Sequence, residues 1–426
     1  MSEEEMESKD KKTLFPFQKE AVKQLLADKH FIIAGVGSGK TAMALIWAEE
    51  QRKKTYKNKL LVVTTASKSK TGDFEQEADE WAPQLKSSLS EFSVISWHKL
   101  KAWADDNWDR LEEYIVIFDE VQRAKAGVSS GMGKAFLKIT KQNNTWAAFT
   151  GTPGDTWLSF YPYMQACNLV RNKTSFLNTY ASIQTYKGYP EIIGWRYEDE
   201  LKSKWAKISY APDTHKVMSE LPEQTHKVFT FKKPTGYNKT LKTRLNADGE
   251  FLDTAGALCA ELRRQCFTKD KQEWIKDFVD GLESGCVFFY NFIKTGDMLE
   301  EIIQKALPKD AKVWRIDGKH HEIPTADTIG KKDMVLCQWQ SGSEALNLQF
   351  LHYWVAVELC YSYSTANQAR GRIRRLGQKH PQWYGYLLTE GTIEQDILKC
   401  LKQKGEFSEA NWCISNNLIK EENVED

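Results

Sequence analysis

The sequence predicts an α/β protein made of two successive parallel-sheet domains. Three observations lead there. At 426 residues the chain is too long for one ordinary core, so two domains of about 200 residues each are expected. A short apolar strand, a glycine-rich turn and an alanine-rich amphipathic helix follow one another near the start, in "HFIIAGVGSGKTAMALIWAEE". Apolar strand runs then alternate with helical segments through both halves, the pattern of parallel sheets covered by helices.

Composition narrows the class. Hydrophobic residues make up 41% of the chain and 15 are tryptophan, ample material for buried cores. With 59 basic and 58 acidic residues the net charge is +1, so no basic coat singles out a nucleic-acid partner and local basic surfaces remain open. The cysteines Cys167, Cys259, Cys266, Cys286, Cys337, Cys360, Cys400 and Cys413 are scattered. No C-x-x-C pair suggests zinc or a redox dithiol, and they read as reduced thiols. Residues 1–12 and 406–426 read as polar tails. The opening lacks an apolar h-region, and no run approaches the roughly 18 apolar residues of a membrane span, so a cytoplasmic protein without a membrane partner is expected.

In the first half, the strand Phe31–Ala34 meets a loop in which Gly35, Gly37 and Gly39 let the backbone curl. Successive N–H groups, including that of Ser38, can then point at phosphate oxygens. Lys40 is placed to neutralise the β and γ phosphates and Thr41 to ligate magnesium, so ATP and Mg²⁺ are the expected cofactors. The strict pattern asks for glycine where Ala34 stands, and alanine is small enough to keep the turn.

The second segment, "EEYIVIFDEVQRAK", reads as a buried strand over 114–118 ending in Asp119 and Glu120. Two neighbouring acids divide the labour: Asp119 holds the metal, directly or through water, while Glu120 orients and deprotonates the attacking water. Alone, an Asp-Glu pair after a strand says little. Joined to the loop some eighty residues earlier it defines one nucleotide-binding sheet, with further strands at 60–64, 92–96 and 145–149. The polar turn Thr150–Pro153 that follows reads equally as a site element and as a plain loop. In the second half, strands at 286–290, 312–316, 333–338, 352–356 and 383–388 alternate with helices such as 293–306 and 392–403, without a second phosphate loop.

The order of these motifs resembles the Snf-type group of helicase superfamily two, over residues 14 to about 397. The resemblance runs through "LFPFQKEAV", the phosphate loop, "LLVVTTASKSKTGDFEQEADEW", "SVISWHKL", "DEVQRAK" and "TGTP". It continues through "SELPEQTHKVFTF", "CVFFYNF", "WRIDGKH", "SGSEALNLQ", "QARGRIRRLGQ" and "TEGTIEQDIL". It implies two RecA-like lobes in tandem: lobe one at 13–225, with a mainly helical insertion at about 155–225, and lobe two at 226–405. It assigns adenine contact to Gln18 and DNA contacts to Thr64, Ser67, Ser96, Ser341 and Asn347. In "QARGRIRRLGQ" it makes Arg372 and Arg375 arginine fingers facing the γ-phosphate across the cleft, their three-residue spacing suggesting one helical face. Arg370 and Arg374 read as surface or salt-bridging residues.

Departures from the group pattern are Gln122 in place of histidine, Ala345 in place of glycine and Thr65 in place of proline. A glutamine can still hydrogen-bond between the γ-phosphate region and lobe two, but it does not titrate. The function implied is a DNA-stimulated ATPase that moves along DNA, duplex favoured, with ATP-driven closure and opening shifting each lobe along the backbone. A strand-separating DNA or RNA helicase and a non-motor, nucleotide-sensing adaptor are the alternatives. A monomer is expected, with room for a partner protein in replication, repair or recombination. The absence of chromatin-reading or nuclease modules points to a bacterial cell or a phage-infected host.

Overall fold

The computed structural model describes residues 13–66, 68–154, 156–186, 189–214, 221–320, 322–342, 346–375, 378–403, 407–416 and 418. The chain divides into two compact units, Met1–Met218 and Ser219–Asp426. In the first unit, six strands form one sheet in the order β3-β2-β4-β5-β1-β8. They are β1 (Phe31–Ile33), β2 (Lys59–Thr64), β3 (Glu91–Ser96), β4 (Tyr114–Asp119), β5 (Trp146–Thr150) and β8 (Ser209–Tyr210). Every neighbouring pair is parallel.

All six residues of β4 are buried, because helices cover both faces of the sheet. The two-residue period of a strand divides them between two cores. Tyr114, Val116 and Phe118 pack on one side with Leu61 and Val63 of β2, while Ile115 and Ile117 pack on the other with Leu60 and Val62. This is why these runs look uniformly apolar rather than alternating. The five strands expected in this half are all present, shifted by a residue or so at their ends.

The stretch beyond β5 is mainly helical, as expected, with a strand ribbon added to it. It holds helices Trp157–Ala166, Lys173–Tyr180 and Glu198–Ile208, but also an antiparallel ribbon of β6 (Ala181–Tyr186) and β7 (Tyr189–Trp195). It then returns to the sheet as β8 beside β1. A two-residue strand is too short to show any periodicity in sequence, and the ribbon lies between helical segments.

The second unit repeats the architecture, with strand order β11-β12-β10-β13-β14-β9. These strands are β9 (Gln224–Phe231), β10 (Cys286–Tyr290), β11 (Val313–Ile316), β12 (Met334–Gln338), β13 (Tyr353–Ala356) and β14 (Gln382–Thr389), again all parallel. Val287 and Phe289 of β10 face one core, and Cys286, Phe288 and Tyr290 the other. Side-chain caps end the free N–H rows of its helices: Thr254, Thr268, Ser362 and Thr392 each accept from a first-turn amide.

An ion pair withdrawn from water lies inside this unit. Lys271 Nζ contacts both carboxylate oxygens of Glu394, at 3.0 and 2.8 Å, and Glu394 also accepts from the Thr389 amide at 2.7 Å. Both side chains are withdrawn from water, at 0% and 2% exposure. Removing one partner strands a buried charge, whereas removing both does not. Lys271→Met should therefore lower stability by about 3–5 kcal/mol in urea titrations, and the double variant Lys271→Met, Glu394→Leu should recover most of that loss. Equal losses in single and double variants would contradict this account.

Candidate active site

The chemistry gathers at the carboxyl ends of β1, β2, β4 and β5, where open parallel sheets place their sites. After β1 the chain turns sharply, with Gly37 and Gly39 at φ of 78° and 76°, and enters helix Lys40–Thr55, of 16 residues. Gly39 is doubly constrained. Its backbone is left-handed, and a Cβ there would collide with the side-chain nitrogen of Gln18. Ser38 closes the turn by donating from its hydroxyl to the Gly35 carbonyl at 2.7 Å.

Lys40 folds back over this loop and donates to the carbonyls of Ala34 and Gly35 at 3.0 and 3.1 Å. Thr41 occupies the first helical turn, beside the positive end of the helix dipole. Gln18 is buried at 2% exposure. Its amide nitrogen donates to the Ser38 carbonyl at 2.8 Å and its oxygen accepts from the Phe15 amide at 2.8 Å. Gln18 thus braces the phosphate loop from behind, a contact that the adenine assignment did not foresee.

Asp119 ends β4 at 3% exposure. Its Oδ2 accepts from the Thr64 hydroxyl at 2.7 Å and from Lys68 Nζ at 2.9 Å. Burial pushes the carboxyl's pKa up, but the Lys68 charge, the Thr64 and Lys68 hydrogen bonds and the Lys40 charge outweigh it and hold it below the usual value. The Trp97 indole donates to the Asp119 carbonyl at 2.8 Å and pins the strand end.

Glu120 then turns left-handed, at φ 54°, a conformation that costs a non-glycine residue on the order of 1 kcal/mol. Its carboxylate accepts from Gln122 Nε2 at 2.6 Å, and Gln122 Oε1 in turn accepts from the Thr150 hydroxyl at 2.7 Å. Thr150 Oγ1 accepts from the Thr152 amide at 3.0 Å, and the Thr150 carbonyl accepts the Ala34 amide at 2.9 Å. Gln122 therefore ties Glu120 to the turn after β5, and Thr150 ties that turn to the phosphate loop. Of the two readings left open for Thr150–Pro153, the structure favours a site element.

Among the described residues no group of three or more His, Cys, Asp or Glu could cage a metal by itself. Asp119 and Thr41 fit a magnesium that arrives with phosphates instead, since Mg²⁺ is usually held by one or two protein groups plus phosphate oxygens and water.

The expected DNA contacts fare unevenly. Thr64 and Ser96 do lie at strand ends, paired in register, but Thr64 is wholly buried and Ser96 only 6% exposed. With its hydroxyl committed to Asp119, Thr64 belongs to the acid's surroundings rather than to a contact surface; that expectation is corrected. Ser67 and Ala345 lie outside the described residues. Ser341 is partly exposed in the short helix Trp339–Gly342, and Asn347 is exposed.

The arginines also need correction. Helix Tyr363–Arg370 stops at Gly371, so Arg372 and Arg375 do not share a helical face. They converge nevertheless: both donate to the Leu346 carbonyl, at 3.4 and 2.9 Å, with Arg372 buried at 6% exposure. Arg370 and Arg374 are half-buried rather than surface residues. Arg374 donates to the Gln224 amide oxygen on β9 once that amide is oriented to accept, with Nε at 2.8 Å, and Arg370 donates to Asn367 Oδ1 at 3.5 Å. Arg374 thus helps hold the sheet edge, while Arg370 braces the last turn of its own helix.

Sequence reasoning missed Lys68 and Trp97. Lys68 can reach Asp119 only because β2 and β4 are neighbours, which the sequence does not display.

Residues 11–155 match the family described as type III restriction enzyme, res subunit. A DNA repair protein RAD5 of Cryptococcus neoformans is 28% identical over 130 residues, 29% of this chain and 11% of its own length. The putative helicase 172L of invertebrate iridescent virus 6 is 26% identical over 169 residues, 38% and 27% of the two chains. An uncharacterized ATP-dependent helicase, YqhH, of Bacillus subtilis is 35% identical over 78 residues, 18% and 14%. The chain thus spans about a quarter or less of the length of these relatives. Among solved structures, the Sulfolobus solfataricus SWI2/SNF2 ATPase core in complex with dsDNA aligns over 92% of each chain at 16% identity, with a TM-score of 0.41. The chain resembles the helicases of superfamily two, Snf group: the motif order runs through both units, and the phosphate-loop portion carries the family match. Among the described residues no helix is long and apolar enough to cross a membrane.

Gly39 offers a local test. Gly39→Ala should abolish nucleotide binding and lower stability by more than the roughly 1 kcal/mol of left-handed strain, because the new Cβ displaces Gln18. Adding Gln18→Ala removes the collision, so calorimetry should find the two substitutions together less damaging than their sum.

Proposed function

We propose that the chain is a DNA-stimulated ATPase that moves along DNA, duplex favoured, with residues 13–225 and 226–405 as its two motor lobes. The observation that carries this reading is the gathering of Lys40, Asp119 and Glu120 at the carboxyl edge of one sheet, with Glu120 held by Gln122 and Thr150. The names of the relatives, two helicases and a DNA repair protein, favour a nucleic-acid substrate.

In this reading the loop amides from Gly35 to Lys40, among them those of Gly37 and Ser38, cradle the phosphates of ATP. Lys40 leaves its carbonyl partners for the β and γ oxygens. Asp119 and Thr41 hold Mg²⁺, whose charge neutralises the oxygens of the reacting phosphate when bound. Glu120 accepts the proton of the attacking water, and Gln122 keeps its carboxylate in place. Gln18 keeps the loop's shape and borders the adenine. Arg372 and Arg375 stabilise the transition-state charge, an assignment that rests on motif order. Ser96, Ser341 and Asn347 lie in the segments assigned to the DNA backbone.

ATP turnover measured side by side with duplex DNA, single-stranded DNA and RNA tests the substrate; stimulation by RNA alone would sink the translocase reading. Lys40→Ala should lose nucleotide binding, while Glu120→Gln should bind ATP and lose hydrolysis. Arg375→Ala should slow hydrolysis by about 10³-fold with little change in nucleotide affinity. Full turnover in that variant would remove Arg375 from the chemistry.

A further inference from the structure

The Lys68 ammonium already occupies the acid to which magnesium is assigned. It lies 2.9 Å from Asp119 Oδ2, the oxygen that also takes the Thr64 hydroxyl at 2.7 Å. Asp119 is 3% exposed, and the Lys68 side chain 20%. The lysine opens the short helix Lys68–Thr71 directly after the β2 turn, and its ammonium sits 5.7 Å from the centre of the Phe74 ring, a cation–π distance. The pairing has a physical cause: a carboxylate this far from water needs a cation close by.

A divalent ion brought to this carboxylate, directly or through water, competes with the ammonium, because like charges so close repel and the buried surroundings screen them little. We propose that Lys68 is a resident counter-ion of Asp119, seated in the nucleotide-free protein and displaced when Mg²⁺ and nucleotide load. The inference rests on the ATP reading above. Displacement pulls on the segment from Thr65 to Thr71, the segment whose motif is assigned to nucleic-acid backbone. A backbone phosphate is the natural next partner for the released ammonium. Metal and nucleic acid then favour the same displaced state, so each tightens the binding of the other, reciprocally. Lys68 is thereby a positioning residue that acts through Asp119, not a catalytic one.

The test uses the full chain and a fluorescent ADP titrated with Mg²⁺. Lys68→Met should lower the half-saturating Mg²⁺ concentration about tenfold; duplex DNA should lower it in the parent and should no longer do so in the variant. In EDTA the variant should melt about 5 °C below the parent, a gap that closes at saturating Mg²⁺ and ADP because the pair is then already broken. Lys68→Arg should stay close to the parent, and Lys68→Met should change neither quantity in an Asp119→Asn background. An unchanged or higher Mg²⁺ requirement overturns the proposal, as does a melting gap that persists in the loaded state. Should Lys68→Met not fold, amine acylation of the native protein serves: labelling of Lys68 should rise several-fold on adding Mg²⁺ and ADP, and unchanged labelling overturns displacement. A parent chain that binds no nucleotide at any Mg²⁺ concentration defeats the ATP reading together with this one; bound nucleotide with an unaltered Mg²⁺ requirement defeats this one alone.

Discussion

A carboxylate at the end of a fully buried strand constrains everything near it. Asp119 follows five apolar residues covered on both faces, and an ion so placed is tolerated only where hydrogen bonds and opposite charge replace its water. Strand order supplies them. Because β2 lies beside β4, the hydroxyl of Thr64 and the ammonium of Lys68 arrive at the same oxygen. Because β5 lies on the other side of β4, Thr150 stands within reach of Gln122. The phosphate loop follows from the same geometry, since β1 pairs with β5 and the Thr150 carbonyl takes the first loop amide. The sheet gathers these polar groups at its carboxyl edge, and the site is what forms there.

That logic explains which parts could be read in advance. The phosphate loop was legible because its chemistry is local: glycines at left-handed positions, a lysine and a threonine follow one another within eight residues. The buried strands were legible because apolar runs of five or six residues have few other fates. What escaped depends on neighbours across the sheet. Nothing in "TTASKSK" says that its first lysine meets an acid some fifty residues on, nor that Thr64 faces inward. The order β3-β2-β4-β5-β1 decides both. The arginines failed for a different reason. A three-residue spacing implies one face only while the helix continues, and here the turn at Gly371–Ile373 ends it.

The buried ions in the two units solve one problem with different consequences. Lys271 and Glu394 satisfy each other almost completely, with both carboxylate oxygens engaged and both side chains out of water. Such a pair has nowhere to go, and its effect is on the stability and uniqueness of the fold. Lys68 is a fifth exposed, and Asp119 pairs with it through one oxygen. A partly hydrated ammonium on a flexible stem can be exchanged for another cation at far lower cost than one sealed in a core. The difference in exposure separates a structural pair from one suited to turnover.

Gln122 shows how far a non-titrating residue can serve at such a site. Its amide has only one workable orientation. Nε2 must donate to the Glu120 carboxylate, because turning the amide would set its oxygen against another acceptor, and Oε1 then accepts the single proton of the Thr150 hydroxyl. That leaves the Thr150 oxygen to accept from the Thr152 amide, so every donor in the chain points one way, from the turn after β5 towards the acid. An imidazole at this position could connect the same groups, but it would carry a charge below its pKa and alter the field at Glu120 as pH falls. The amide carries the same connection without a charge at any pH. The carboxylate of Glu120, set in a strained left-handed turn, is thus held by hydrogen-bond direction rather than by charge, and the chain reaches the phosphate loop through the same threonine whose carbonyl receives Ala34.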